Sequence, residues 1–491
     1  MDKLTHRYIA RIVLEADTPL FVGSGNASLL KDAIVQLDHH GFPMIPGTSL
    51  TGVLRHALED KENNVDWGEL FGYQKENSKE GKGSRLLISS AYLITKNNTI
   101  AEGLEITSSQ KDIRNNYFSD LPDRQHVRIN HNGVADQEQS GLFDNEVVYK
   151  GCRFVFEMEL KGTEKDKPQW EKLLSELNSP LFRIGQGTRN GYGRLKVHNA
   201  LVRSFDLSTA SDFEKYLNLD PSLNAPMENG ASIVVSEGAN ILKHYRLELK
   251  PDDFFMFSAG YGDDEVDQVP KREKVLIYDG NGSISGVSEK KVLIPASSIK
   301  GALRHRTAFH YNEMNDVKAD KINRANFEKI AELYTGINND AVFELFGAEE
   351  GASKRPEPVP ANREAHRGKI ILNDVFVNNA KADKIFNHVA IDRFTGGAID
   401  GALFSEKVAY LKNEDEKITL EITLEDFEIK DKDKDIDNEK IKANIINAFE
   451  KALEDMCSGL LPLGGMTTKG HGMFTGKLFV NNELKYDYDN A

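Results

Sequence analysis

Two eleven-residue stretches carry the first chemical signal. Pro46-Gly47-Thr48-Ser49-Leu50-Thr51-Gly52-Val53-Leu54-Arg55-His56 and Pro295-Ala296-Ser297-Ser298-Ile299-Lys300-Gly301-Ala302-Leu303-Arg304-His305 agree at six of eleven positions. In the first, Leu50, Val53, Leu54, Ala57 and Leu58 fall at i, i+3, i+4, i+7 and i+8, which predicts a helix with one buried face. Hydroxyls then stand at the helix start: Thr48 and Ser49 in one stretch, Ser297 and Ser298 in the other. Their ordinary role is to cap unpaired N–H groups. The same N–H groups, hydroxyls and positive dipole end also make an anion site, to which Lys300, Arg55 and Arg304 add charge.

A second pair of segments has matching chemistry. Gly185-Gln186-Gly187-Thr188-Arg189-Asn190-Gly191-Tyr192-Gly193 and Gly464-Gly465-Met466-Thr467-Thr468-Lys469-Gly470-His471-Gly472 let backbone approach a polyanion, with Arg189, Arg194 and Lys469 beside it. Neither is a nucleotide-triphosphate loop. The Gly-Lys-Ser/Thr ending is missing, and each run leads into a strand-like segment instead of a helix. Tyr192 and His471 are placed to stack on a base or, equally, to pack inward at a strand start.

These stretches belong to a longer duplication. Glu69-Leu70-Phe71-Gly72 answers Glu344-Leu345-Phe346-Gly347, Arg85-Leu86-Leu87-Ile88 answers Lys369-Ile370-Ile371-Leu372, and His126-Val127-Arg128-Ile129-Asn130 answers His388-Val389-Ala390-Ile391-Asp392. Gly141-Leu142-Phe143 then answers Ala402-Leu403-Phe404. One order on both sides predicts two homologous domains, 1–205 and 241–491, joined by a Ser/Asn/Asp/Pro-rich connection at 206–240. Strands are expected at Tyr8–Ala16, 85–95, 147–160 and 192–202, with a helix at 168–178, and Tyr245–Leu249 takes the first strand's place in the second half. The resulting β-α-β-β-α-β order with a long insertion predicts an α+β chain of two tandem ferredoxin-like domains.

With 491 residues, 39% hydrophobic and 28% charged, and with 25 Phe and 15 Tyr, the chain has core material for more than one domain. Only Cys152 and Cys457 are present, which excludes a disulfide framework or cysteine-rich zinc site and fits a reducing cytoplasm. No apolar run reaches membrane-spanning length, and no signal peptide is expected at the start. The net charge of -15 argues against a surface that attracts nucleic acid everywhere. Residues 411–440 hold twelve acids and six bases, however, and read as an acidic insertion, so a local basic groove is compatible with the acidic mean.

The order of strand, Asp-containing loop, Pro-Gly-Thr-Ser-Leu-Thr-Gly-x-Leu-Arg, Leu-Phe-Gly, hairpin and Gly-x-Gly-x-x-x-Gly-Tyr-Gly resembles the RAMP superfamily. Within it, the tandem is similar to the "Cas-seven" backbone subunits of type III CRISPR effector complexes, the fused III-D branch in particular. The resemblance covers both halves. It implies a modified RNA-recognition-motif fold whose helix start and glycine-rich loop hold guide RNA (Ser49, Thr51, Arg55, Ser298, Lys300, Arg304, Arg189, Tyr192, Lys469 and His471 by position). It also implies a β-hairpin thumb that flips a nucleotide out of the guide-target duplex. The hairpin regions carry Arg128 and His131 in the first half and Arg393 beside Phe394 in the second. An apolar tip would wedge between bases at a cost of a few kcal/mol per step.

The family pattern of Asp, five residues, Asp, then Pro-Gly matches Asp32 to Asp38 before Pro46, which makes Asp32 the implied catalytic carboxylate and Asp38 a strand-end residue. In the second half, six residues back from Asp279 lies Glu273, while Asp267 stands in the same enlarged loop. The implied reaction is scission of target RNA by its own 2′-hydroxyl, with Asp32 as general base or as a ligand of Mg2+ shared with RNA phosphates. The implied partners are guide crRNA, single-stranded target RNA, further backbone subunits and a large polymerase-like subunit. Two other readings stand beside this one: a non-catalytic guide-RNA scaffold, and a guide-processing endoribonuclease using a histidine such as His56 or His131.

Overall fold

Alternation along the first strand builds the first half. In β1 (His6–Ala16), Ala10, Ile12, Leu14 and Ala16 are buried while Arg11 and Val13 face the other side. The computed structural model describes residues 3–29, 31–59, 67–75, 80–127, 129, 142–226, 231–232, 241–317, 334–348, 365–413, 415–429 and 437–490. After β1 come α1 (Gly47–Glu59), β2 (Leu86–Ile88), β3 (Ala91–Lys96), a hairpin of β4 (Asp123–Val127) and β5 (Leu142–Glu146), β6 (Arg153–Gly162), α2 (Lys167–Glu176) and β7 (Leu195–Asp206). The sheet is antiparallel, with β1 between β7 and β6, and with β2 and β3 both on the far edge of β6. Leu50, Leu54 and Leu58 of α1 join Trp170 and Leu173 of α2 in the core under β1 and β6. Each such leucine is worth about 1.5–3 kcal/mol of burial.

In its described part the connection is a built element instead of a bare tether. It forms α3 (Ala210–Leu217), capped by Thr209, and Tyr216 Oη donates to Glu159 at 2.8 Å. Arg11, on the sheet face opposite the core, donates to the carbonyls of Leu223 and Ala225.

The second half repeats the plan with β8 (Ile241–Pro251), β9 (Arg272–Glu273), a hairpin of β10 (Leu276–Tyr278) and β11 (Ile284–Val287), β12 (Lys291–Ile294), α4 (Ala296–Met314), α5 (Asp340–Phe346) and β13 (Ile370–Leu372). A long hairpin of β14 (Ala380–Ile391) and β15 (Ala398–Leu411) follows, then β16 (Ile418–Glu425), α6 (Asn438–Cys457), β17 (Phe474–Val480) and β18 (Glu483–Asp487). Its sheet runs β13-β16-β8-β17-β18, so β8 lies between β16 and β17 as β1 lies between β6 and β7. Ile299 and Leu303 of α4 meet Phe449, Leu453 and Met456 of α6 over Tyr245, Leu247, Ile422 and Leu424. The chain is α+β in both halves.

The acidic stretch 411–440 is therefore no insertion in its described part. Ile418, Leu420, Ile422 and Leu424 alternate into the core, and β16 pairs with β8 on one side and β13 on the other. A charge count averages over both faces of such a strand and hides its period of two. Among the described residues no helix is long and apolar enough to cross a membrane.

The halves interlock. Leu276 and Ile284 of the β10–β11 hairpin belong to the first half's core. Tyr278 Oη donates to Ile94 O at 2.7 Å and accepts from Arg153 N at 3.2 Å, with the Arg153 guanidinium 4.6 Å over its ring. Burial pushes this phenol well above its ordinary range.

Candidate nucleic-acid interface

Each duplicated helix starts at a proline, but no hydroxyl of its own opens it. Pro295 is the N-cap of α4, and the Ala296 N–H is accepted by Asp374 Oδ1 at 2.9 Å from the end of β13. Gly47 N–H of α1 is accepted by Ser90 Oγ at 3.2 Å, from the corresponding strand end. The capping role expected for Thr48, Ser49, Ser297 and Ser298 is taken by other residues. Thr48 and Ser298 are exposed and Ser49 is half-buried. Thr51 Oγ1 donates to Gly47 O at 2.8 Å, and Arg55 pairs with Glu59 at 2.8 Å. Arg304 is half-buried on α4.

The glycine-rich loops match bond for bond. Gln186 N and Gly465 N donate to Phe21 O and Met256 O, Asn190 N and Lys469 N to Gly187 O and Met466 O, and Ile184 N and Leu463 N to Gly193 O and Gly472 O. Tyr192 and His471 occupy equivalent places and both are buried, so base stacking by either does not fit the geometry. Each is the first inward residue of a strand start. Arg189 is also turned inward, pairing with Glu425 of the second half at 2.6 Å. Lys469 remains exposed, 4.4 Å over the Phe404 ring.

The first loop abuts the second helix start. Gly191 has φ +102°, and a Cβ there would overlap the Asp374 carboxylate and lie 2.7 Å from Ala296 Cβ. Lys300 Nζ reaches Asn190 Oδ1 at 3.3 Å, and Arg183 donates to Asn373 Oδ1. Beneath this seam Arg124 of β4 is buried between carboxylates of the second half: Nε and Nη2 bond Glu273 at 2.6 and 2.7 Å, and Nη1 bonds Asp374 at 2.6 Å. Burial works against its charge, but the two carboxylates hold this guanidinium above its ordinary range.

Pairing registers place the loop carboxylates. Gly23 bridges Val35 where Ser258 bridges Pro270, and Met44 N donates to Gln36 O where Leu293 N donates to Lys271 O. Asp32, three residues before Val35, thus corresponds to Asp267, three before Pro270. Glu273 corresponds to Asp38, the strand end whose Oδ1 accepts His40 N and Phe42 N. Counting back from Asp279 fails because the β10–β11 hairpin is inserted after that strand end. Glu273 is 5% exposed with both oxygens on Arg124, so it is a seam residue and not a second loop carboxylate.

Asp32 and Asp267 are both exposed and both stand at the root of a hairpin. Asp32 Oδ2 accepts Asp144 N at 3.1 Å, and Asp267 Oδ2 accepts Ser405 N at 2.8 Å and Ser405 Oγ at 3.0 Å. Above them His126 stacks on Phe143 with centroids 4.9 Å apart, and His388 on Phe404 at 4.7 Å. His126 Nε2 meets Asn145 Oδ1 and Tyr192 Oη at 2.9 and 3.0 Å; His388 Nε2 meets the fully buried Glu406 at 2.8 Å. Burial holds His126 below its ordinary range and pushes the Tyr192 phenol up to about 12.

In the second hairpin Asp392 Oδ1 accepts from Phe394 N, Thr395 N and Thr395 Oγ1, which fixes a tip where Phe394 is 92% exposed and Arg393 is exposed beside it. Arg128 and His131 lie outside the described residues, and His56 is exposed on α1. Among the described residues no group of three or more His, Cys, Asp or Glu is arranged to hold a metal ion. Arg124, Asp374 and Asp144 were not singled out from the sequence. Asp144 was within reach, since it directly follows the repeated Leu-Phe pair, whereas Arg124 and Asp374 are joined only by folding.

Comparison with curated proteins gave no match. A model of the RAMP superfamily matches residues 13–196 and 276–475, one region in each half and together well over half of the chain. The matched regions contain both helix starts, both hairpins and both glycine-rich loops, the second region beginning after β8, and this chain belongs to the RAMP superfamily.

Proposed function

We propose that the chain is a tandem backbone subunit of a type III, III-D-like CRISPR ribonucleoprotein, holding guide RNA along the seam and cutting paired target RNA. Superfamily members work in CRISPR complexes with RNA and other subunits, and some are endoribonucleases. The strand order, with the first strand between the third and fourth and the second outside the third, supports reading each half as ferredoxin-like. The carrying observation is the abutment of the first glycine-rich loop on the second helix start, at Gly191 and Ala296 and at Asn190 and Lys300. On this reading it joins the two halves into one track along which the RNA runs. The two hairpins serve as thumbs, with Phe394 as the second wedge. Further backbone subunits and a large polymerase-like subunit are the proposed neighbours.

For catalysis, a flipped nucleotide aligns its 2′-hydroxyl with the adjacent phosphorus. The hydroxyl loses its proton to Asp32, the 2′-oxygen bonds phosphorus, and the 5′-oxygen leaves and takes up a proton, giving a 2′,3′-cyclic phosphate and a 5′-hydroxyl end. Bound Mg2+ would supply charge stabilisation at the phosphate, with Asp32 the protein ligand and RNA phosphates the others, since the described residues build no cage. Asp267 is proposed for the same role in the second half.

The test is cleavage of guide-matched target RNA by the assembled ribonucleoprotein, with product ends mapped. Asp32→Ala is expected to remove one cut by about 10²- to 10⁴-fold and Asp267→Ala another. Cuts unchanged in both variants would leave a non-catalytic scaffold, and absence of RNA from the purified complex at low salt would refute the whole reading.

A further inference from the structure

Asp32 does not stand alone at the hairpin root. Its N–H donates to Asp144 Oδ1 at 2.7 Å while Asp144 N–H donates back to Asp32 Oδ2, a reciprocal pair across two segments more than a hundred residues apart in sequence. Around it, Val35 N donates to Glu146 Oε2 at 3.2 Å, Glu146 N to Ala33 O at 3.0 Å, and Lys31 bridges Glu146 at 2.8 Å. The loop that carries Asp32 is thus stitched to β5.

The second half solves the same problem with a different residue. Ser405, equivalent to Asp144, accepts the Asp267 N–H on Oγ at 3.2 Å and on its carbonyl at 3.1 Å, and returns both its N–H and its hydroxyl to Asp267 Oδ2. Lys407 N donates to Gln268 O as Glu146 N does to Ala33 O. The loop posture is kept while the side chain that fixes it changes from a carboxylate to a hydroxyl. What the two have in common is a side-chain oxygen that accepts the N–H of the loop aspartate. Their charge is not shared.

We propose that Asp144 is a positioning residue for Asp32, acting through acceptance of the Asp32 N–H, and that Ser405 does the same for Asp267. This rests on the reading of Asp32 and Asp267 as the cutting carboxylates. An error of about 1 Å in placing a catalytic group costs on the order of 100-fold in rate, so an unfastened loop carboxylate is slow even when the target is bound.

The molecule supplies its own control substitutions. With ribonucleoprotein purified through this chain and a guide-matched synthetic target RNA in Mg2+, single-turnover rates are measured for each mapped cut, alongside target affinity. Asp144→Ala is expected to slow the Asp32-dependent cut by roughly 10- to 100-fold with affinity unchanged. Asp144→Ser and Asp144→Asn, which retain an acceptor oxygen without the charge, restore it to near the wild-type rate. Ser405→Ala slows only the Asp267-dependent cut. The proposal is overturned if Asp144→Ala cuts at the wild-type rate, or if the Ser and Asn variants are as slow as the Ala variant. Should Asp144→Ala fail to fold, the Ser and Asn variants carry the test, and slow cutting by either refutes it. A cut that survives Asp32→Ala refutes instead the catalytic reading beneath it, and the positioning role with it.

Discussion

The two halves share one backbone plan and differ in what their side chains do at the hairpin root. In the first half a buried arginine, Arg124, ties the hairpin to the neighbouring domain; its positional equivalent, two residues before His388, is Phe386, which meets Phe254 and His471 instead. Asn145 under His126 becomes Glu406 under His388. The Lys31–Glu146 bridge reappears with its polarity reversed, Lys407 on the hairpin strand meeting Asp263 and Glu265 of the loop. Register and backbone bonds persist through all of these exchanges. Duplication therefore preserved the positions of the hairpin root and loop carboxylate and left their fastening free to diverge. The hairpin that faces the other half uses charge at that seam.

That comparison breaks most sharply at Arg124. Arg124→Ala leaves the buried Asp374 without its ion-pair partner and Glu273 with only Lys271 at 3.9 Å, and is expected to cost about 3–5 kcal/mol in chemical denaturation. Phe386→Ala, at the half-buried equivalent, should cost only about 1 kcal/mol. Adding Glu273→Gln and Asp374→Asn to Arg124→Met should recover much of the loss, because desolvated charge and not packing dominates there.

The glycine-rich loops sharpen it further. Gly187 sits at φ +67° with Tyr192 against the space a side chain would fill, while its equivalent Met466 already adopts φ +57°. Gly187→Ala is expected to destabilise by about 1–2 kcal/mol or more, and Met466→Gly to shift stability by less than about 1 kcal/mol in either direction. A thermal melt of each variant decides between them.

The smallest effect concerns pH. His126 lies below its ordinary value of 6.5 because burial disfavours its cation. The unfolded chain then binds more protons than the native one just below pH 6.5, so stability is full above that pH and declines as pH falls through the depressed native value. His126→Gln should flatten this dependence in denaturation curves taken from pH 7.5 to 5. An unchanged slope would place the titrating group elsewhere.

Much of this was legible in the chain itself. The paired helix stretches, the Leu-Phe-Gly turns and the glycine-rich runs predict two copies of one α+β unit, because helical spacing and left-handed glycines are local requirements that the sequence must satisfy on the spot. Asp32 was singled out only through the resemblance to the family's Asp-x5-Asp pattern, and its part in cutting is a proposal. Local pattern misled where partners are distant. Tyr192, His471 and Arg189 have the right types for RNA contact, but their rings and charge are taken up by His126, Glu406 and Glu425, each brought in from another segment. Residues 411–440 counted as acidic although one face of β16 is core.

By itself, then, the sequence determined the repeat and its element order, both of which depend on neighbours within a few turns of chain. Only the tertiary structure decided which carboxylate answers Asp32, that Glu273 belongs to a buried seam, and that the first loop abuts the second helix start. Those outcomes depend on strand register and on an inserted hairpin, and register is set by burial across the whole sheet, which no local count contains.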